Sequence, residues 1–308
     1  MKKYLITGGI GFIGSHLSEA LLKLGNEVVA IDDFSANAIE KIDSKIKIYK
    51  TGIENTGRIK EIFRKEKPDI VYHLAGVINL RRQIADPLFA KDLNFLRRIE
   101  TILDACQKNR VKKIIFISSG GAIYENARMI PTPQDYPAHP VSLYGLANLI
   151  LEKYIRSYCK EYGMDFIILR LSNVYGPRQW ISGIVPSLII KFLKKESPII
   201  NGDGRQTRDF IYIDDAIRAF IIATEKAKTG IYNVGSGKEV SLNKIFELLK
   251  NISGLKIEPA YQDLKEEESK RSALNIEKIK KEFGWQPKIN LKDGLSKTIK
   301  WFQKNERN

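Results

Sequence analysis

The chain has 308 residues, 43% of them hydrophobic and 28% charged, with 22 glycines and 11 prolines. This is the composition of ordinary globular protein, which excludes disordered, collagen-like and disulfide-stapled classes, and the length predicts about two domains. Lysine and arginine outnumber aspartate and glutamate by 51 to 36, a formal net charge of +15. The basic doublets Lys2-Lys3, Arg81-Arg82, Arg97-Arg98 and Lys194-Lys195 are nevertheless scattered, and Lys265-Glu266-Glu267-Glu268 mixes signs. No nucleic-acid partner is therefore expected; a modest positive field suits a small phosphorylated substrate.

In chain order, β-branched runs predict strands over Lys3-Thr7, Glu27-Ile31, Ile46-Lys50, Ile70-His73, Lys113-Ser118 and Phe166-Leu169. Helical spacing predicts helices over Phe12-Leu24, Gly57-Lys67, Pro87-Asn109 and Ser142-Tyr162. That alternation implies an α/β fold, a doubly wound parallel sheet of Rossmann type covered by helices on both faces. Beyond Asn173, Gly176-Pro177, Gly202-Asp203-Gly204 and Gly235-Ser236-Gly237 punctuate shorter elements. The expected division is a first domain over 1–172 and a smaller C-terminal α/β substrate domain over 173–308, with some of the chain crossing back.

Cys106 and Cys159 fall in helical patterns without metal spacing and read as reduced core thiols of a cytoplasmic chain. His16, His73 and His139 are too dispersed for a metal site. No window approaches the roughly eighteen apolar residues of a membrane span. The apolar run after Met1-Lys2-Lys3 stops at Gly8-Gly9, too early for a signal peptide.

The segment Thr7-Gly8-Gly9-Ile10-Gly11-Phe12-Ile13-Gly14 follows the first strand and opens a helix. Gly8 permits the tight turn, Gly11 the approach of a pyrophosphate, and Gly14 close helix-to-strand packing, while the helix start offers free N–H groups. The second strand runs into Asp32, about twenty residues on, where a carboxylate can accept hydrogen bonds from an adenosine ribose. A 2′-phosphate there would be repelled, so NAD is expected rather than NADP.

With these residues the chain resembles the extended short-chain dehydrogenase/reductases, specifically the NAD-dependent nucleotide-sugar epimerases and dehydratases. The resemblance runs over residues 3 to 303. It is carried by the glycine loop, His73-Leu74-Ala75, Asn94, Ser118-Ser119-Gly120-Gly121-Ala122-Ile123-Tyr124, Tyr144-Gly145, Arg170 through Arg178, Arg208-Asp209-Phe210 with Asp214-Asp215, and Asn275 through Lys278 leading to Phe283-Gly284-Trp285. It implies that Gly8, Gly11, Phe12, Ile13, Gly14, Asp32, Leu74, Ala75, Asn94, Ser118, Tyr144 and Asn148 line the cofactor. It further implies a C-terminal domain closing over a nucleoside-diphosphate sugar, and a homodimer packed through the tyrosine helix and the helix before it.

In such enzymes the tyrosine of a Tyr-xxx-Lys helix removes the sugar hydroxyl proton while hydride passes to the nicotinamide, and a nearby Ser or Thr shares the hydrogen bond. Tyr144 takes the first role. Ser119 is preferred for the second, with Ser118 as the alternative. The fourth residue after the tyrosine departs from the family: it is Asn148, where the pattern has lysine. That lysine holds the nicotinamide ribose and favours the phenolate. A tyrosine ordinarily titrates near ~10 and a close cation is worth ~1–3 units. Its loss is therefore expected to cost roughly 1–4 kcal/mol, or about ten- to a thousandfold in rate, with Asn148 as an attenuated ribose ligand.

On the substrate side, the resemblance assigns Asn173, Arg178 and Arg208 to the nucleotide sugar, Arg208 being suited to a bidentate phosphate contact. An ion pair of Arg208 to Asp209 or Asp214 is the structural alternative. Lys265 aligns with a family arginine, and Ser272 with a position where a small side chain leaves room for an N-acetyl group. No acidic residue directly follows Ser119, so 4-epimerisation of UDP-glucose and UDP-N-acetylhexosamines is expected rather than dehydration. The rival expectations are a catalytically silent NAD- or nucleotide-sugar-binding protein and a nucleotide-sugar reductase or dehydratase. Three further departures are Ile53 for a common Asp, Glu125 for a Gly and Tyr212 for a His.

Overall fold

A computed structural model describes residues 1–35, 42–75, 94–179, 183–263 and 270–305. In chain order its elements are β1 (Lys3–Thr7), α1 (Phe12–Lys23), β2 (Glu27–Asp32), β3 (Lys47–Lys50), α2 (Thr56–Glu66), β4 (Ile70–His73), α3 (Asn94–Lys108), β5 (Lys113–Ser119), α4 (Gly120–Ile123), α5 (Leu143–Glu161) and β6 (Asp165–Leu171). There follow β7 (Asn173–Tyr175), α6 (Ile184–Leu193), β8 (Ile199–Asn201), β9 (Thr207–Arg208), β10 (Phe210–Tyr212), α7 (Ile213–Lys226), β11 (Gly230–Val234), β12 (Val240–Ser241), α8 (Leu242–Ser253), β13 (Ala260–Gln262), α9 (Glu277–Phe283) and α10 (Leu291–Asn305). All six expected strands are present within two residues. The helix expected over 87–109 is described from Asn94; residues 87–93 lie outside the described residues.

The chain divides into two compact units, one comprising 1–123, 138–170 and 220–232, the other 124–137, 171–219 and 233–308. The first is built on a seven-stranded sheet of order β3-β2-β1-β4-β5-β6-β11. β1 pairs in parallel with β2 and β4, and β2–β3 and β4–β5 are also parallel. The first six strands thus take the doubly wound order in which the chain reverses beside β1, and ligands of such sheets bind at the strand ends there.

Alternation along the strands divides the core between the two faces. Leu5, Val29, Ile31, Val71, Ile114, Phe116 and Ile168 pack in one cluster with Ile59 and Phe63 of α2, Ile102 and Cys106 of α3, and Leu151, Ile155 and Cys159 of α5. Ile53 is buried in the same cluster, so this departure from the family supplies core packing. Cys106 and Cys159 are free, buried thiols that burial pushes up in pKa, Cys159 to about 12. They are protonated and chemically quiet. The opposite face includes Tyr72, whose hydroxyl lies 2.6 Å from Thr224 Oγ1.

Local signals set the helix ends. Asn55 accepts the Arg58 N–H at the start of α2 and Ser142 the Gly145 N–H at the start of α5, as N-caps do. Among the described residues no helix is long and apolar enough to cross a membrane, and no group of three or more His, Cys, Asp or Glu is arranged for a metal. In the second unit β7 and β10 are parallel, Asn173 opposite Phe210, and β9–β12 and β8–β13 form two further short pairs.

Candidate active site

Gly8 takes φ +70° and Gly11 the N-cap position of α1. A Cβ on Gly14 would stand 1.9 Å from the Gly8 carbonyl oxygen, whereas one on Gly11 would meet nothing nearer than 3.5 Å. Gly14 therefore lets the helix close onto the turn, and Gly11 leaves open space beside it. No side chain caps α1 and its first turn holds no acidic residue, so the free N–H groups after Gly11 are available to an anion. Phe12 and Ile13, both half-buried, form that first turn.

Asp32, 9% exposed, accepts the Ile10 N–H through Oδ2 (3.2 Å) and the Phe34 N–H through Oδ1 (3.0 Å). It is expected from the sequence only as a ribose ligand; here it also ties the glycine loop to the end of β2. Burial raises its pKa, opposed by these backbone hydrogen bonds. A carboxylate has about four acceptor positions, so capacity for a ribose remains.

Leu74 and Ala75 follow β4, and the Ala75 N–H donates to Thr7 Oγ1 at 3.3 Å. That hydroxyl also lies at hydrogen-bonding distance, 2.8 Å, from His73 Nδ1. The sequence offers His73 only as a dispersed histidine; it pins the β4 end to the β1 end, its ring stacked on Phe116. Burial lowers its pKa from 6.5 to about 4. The unfolded chain then takes up a proton at 6.5 that the native state refuses until about 4, so stability falls as pH drops through that window. We expect a loss of about 3 kcal/mol between pH 7 and 4 attributable to His73. Urea unfolding of the wild type and His73→Gln across this range checks it; identical pH dependence of the two would contradict it.

Asn94 opens α3, but its side chain lies outside the described residues. Tyr144 lies in the first turn of α5, half-buried and packed on the core cluster. Gly145 beside it is required by contact, since a Cβ there would be 2.3 Å from the Ala122 carbonyl oxygen. Asn148, one turn on and 1% exposed, donates from Nδ2 to the Tyr144 carbonyl at 2.9 Å, and its Oδ1 is buried without a partner among the described residues.

The two serine candidates separate. Ser118 Oγ donates to Glu152 Oε1 (2.6 Å), and Glu152 in turn binds Arg170 through Nε (2.9 Å) and Nη2 (2.6 Å). Ser118 is committed to this buried pair. Ser119, the next residue at the strand end, is half-buried. Sequence reasoning missed the pair, although Tyr144, Asn148 and Glu152 recur every four residues and so share one helix stripe.

In the second unit, Asn173 donates its backbone N–H to the Asp209 carbonyl, and Arg208, half-buried in β9, donates to the Thr207 carbonyl (2.8 Å). The Asp209 carboxylate accepts the N–H groups of Ser236, Gly237 and Leu274 and the Ser236 hydroxyl. Asp209 is thereby the organiser of these loops. It brings β9, the Gly235–Gly237 turn and the segment after half-buried Ser272 together. Arg178 takes a left-handed backbone (φ +67°); Tyr212 is buried, Glu125 half-buried, and Lys265 lies outside the described residues.

The fit to a dinucleotide is thus visible in the glycine cradle, the uncapped helix start and the orphaned Asn148 oxygen. The sequence profile of the NAD dependent epimerase/dehydratase family matches residues 4–235. The chain is 38% identical over 306 residues to a putative UDP-glucose 4-epimerase of Methanocaldococcus jannaschii, covering 98% of this chain and 99% of the relative. It superposes on the crystal structure of Thermotoga maritima UDP-glucose 4-epimerase with UDP-glucose at a TM-score of 0.93, with 36% identity and 99% of both chains covered. A UDP-N-acetylglucosamine 4-epimerase from Methanobrevibacter ruminantium, in complex with UDP-N-acetylmuramic acid, matches at a TM-score of 0.89 and 32% identity over 98% of both chains. The glycine loop, the doubly wound sheet and these full-length likenesses together make the chain a member of the NAD dependent epimerase/dehydratase family.

Proposed function

We propose that the protein is an NAD-dependent UDP-sugar 4-epimerase acting on UDP-glucose/galactose and UDP-N-acetylhexosamines. The observation that carries the reading is Tyr144 in the first turn of α5, in the same unit as the uncapped glycine-loop helix start and Ser119. Full-length likeness to UDP-sugar 4-epimerases supports the reaction.

Gly8, Gly11, Gly14 and the α1 start would hold the pyrophosphate of NAD, Asp32 the adenosine ribose, and Leu74, Ala75, Asn94 and Asn148 the remainder. Bound NAD would supply a reversible hydride acceptor. Tyr144 removes the proton of the sugar 4-hydroxyl as hydride leaves C4, the carbon that bears it. Ser119 hydrogen-bonds the 4-keto oxygen of the sugar that results, and Tyr144 returns the proton to that oxygen as C4, its other face now presented, takes the hydride back. Asn173, Arg178, Arg208 and Lys265 bind the nucleotide diphosphate. Ser272, with its small side chain, admits an N-acetyl group.

Gly120-Gly121 after Ser119 provides no second acid or base, which disfavours dehydration. Asn148 favours a second reading, a silent ligand-binding protein, because it removes the cation beside Tyr144. Proton NMR of UDP-glucose and of UDP-N-acetylglucosamine, each incubated for hours with protein and NAD, decides between them. We expect each 4-epimer to form and Tyr144→Phe to abolish turnover; binding without conversion would establish the silent protein.

We also propose a cytoplasmic homodimer joined through α3 and α5. Val141, Leu143 and Leu146 at the start of α5 are 70%, 48% and 44% exposed, an apolar surface suited to a second copy, and free buried thiols suit a reducing compartment. Sedimentation as a monomer would refute the dimer.

A further inference from the structure

We infer that Glu239, paired with Arg271 and Thr207, is a positioning residue of the nucleotide-sugar site that holds Arg208 and Ser272 in place. The inference rests on the proposed assignment of those two residues to the substrate and deepens it by naming what fixes them.

Glu239 immediately precedes β12, which runs antiparallel to β9 with Val240 opposite Arg208 and Ser241 opposite Thr207. Its carboxylate gathers two segments. Oε1 accepts the Thr207 hydroxyl at 2.5 Å and Arg271 Nε at 2.9 Å, and Oε2 accepts Arg271 Nη2 at 2.5 Å. The planar guanidinium thus meets the carboxylate with two bonds at once, which fixes direction as well as distance. The Thr207 N–H also donates to the Lys270 carbonyl at 2.9 Å, so β9 and the segment entering Arg271 are joined through the backbone too.

Arg208 and Ser272 are each enclosed between tethered neighbours. Before Arg208, Thr207 is held by Glu239; after it, Asp209 is buried against the N–H groups of Ser236, Gly237 and Leu274. Before Ser272, Arg271 is held by Glu239; two residues after it, the Leu274 N–H is held by Asp209. Asp209 alone would leave the chain ahead of Leu274 free to swing about that one point. Glu239 supplies the second point, from the solvent side: its side chain is 22% exposed and that of Arg271 61%.

An ion pair open to water adds little to global stability, so the fold does not account for this arrangement. A ligand, however, binds only those molecules in which Arg208 and Ser272 stand in place, and its affinity falls with the fraction that do. Loosening the pair lowers that fraction without removing any group that touches the substrate.

Titration calorimetry with UDP tests this, since UDP carries the diphosphate and needs neither NAD nor turnover. Glu239→Ala and Arg271→Ala are each expected to weaken UDP by about tenfold. The double variant is expected to lose no more than Glu239→Ala alone, because the partners of one pair are not additive. Losses that multiply in the double variant would place Arg271 on the ligand itself and overturn the inference. Lowered urea midpoints with UDP affinity within about twofold of wild type would make the pair merely structural and overturn it as well. Failure of the wild type to bind UDP would instead bring down the proposed function.

Discussion

Asn148→Lys is expected to raise kcat by about ten- to a thousandfold. In the proposed reaction, a cation one turn after Tyr144 would stabilise the negative charge that forms on its oxygen as it takes the sugar proton, worth roughly 1–4 kcal/mol of barrier. The gain depends on the new ammonium remaining available. Position 148 is one turn from Glu152 as well, and an unsatisfied carboxylate there would capture it. Glu152 is already bound on Oε1 by Ser118 and Arg170 Nε and on Oε2 by Arg170 Nη2, so little of its field is left over. Initial rates of 4-epimer formation for the two proteins provide the check. An unchanged kcat would mean that Asn148 does not attenuate the reaction and that the charge on Tyr144 is stabilised elsewhere.

Glu152→Ala is expected to destabilise the fold by about 3–5 kcal/mol, the usual result of removing one partner of a buried pair. The side chains of Arg170 and Glu152 are only 9% and 2% exposed. Without Glu152, the guanidinium would be buried beside a cavity with no counter-charge, and Ser118 would lose its acceptor. Arg170→Met in the same chain removes the stranded cation and is expected to recover much of the loss, since exchanging a whole buried pair for apolar packing is commonly near neutral. Urea midpoints of the single and double variants check this. A single variant within about 1 kcal/mol of wild type would show that water reaches Arg170. A functional effect is expected to accompany the structural one, because Glu152 ties α5, which carries Tyr144, through Ser118 to the β5 end that carries Ser119.

The parts of the site that could be read along the chain are those in which neighbours in sequence act together. The glycine loop is one: turn, open approach and helix start occupy Gly8 to Gly14, where Gly8 takes the left-handed turn, Gly9 and Gly14 are required by contacts within that span or with the adjacent strand, and Gly11 leaves open space. The first six strands of the sheet are another, because each carries its own β-branched run and stops at its own turn. Tyr144 and the absence of lysine at 148 belong here too.

What contacts between distant segments decide could not be read in this way. Whether Ser118 or Ser119 is available depends on Glu152, 34 residues from Ser118, and nothing in the local pattern distinguishes two adjacent serines. Asp209 looks from its neighbours like an ion-pair partner for Arg208, yet its carboxylate is taken by backbone N–H groups 27, 28 and 65 residues away. His73 looks like a stray titratable group and is a buried neutral peg for Thr7, 66 residues earlier. Hydrophobic periodicity reports burial, which is a property of one segment against an average interior; a hydrogen bond is a property of two particular atoms. The chain order therefore encodes the sheet, its glycine turn and the place of Tyr144 at the start of its helix, while the tertiary structure alone selects which polar side chains are committed to holding that frame.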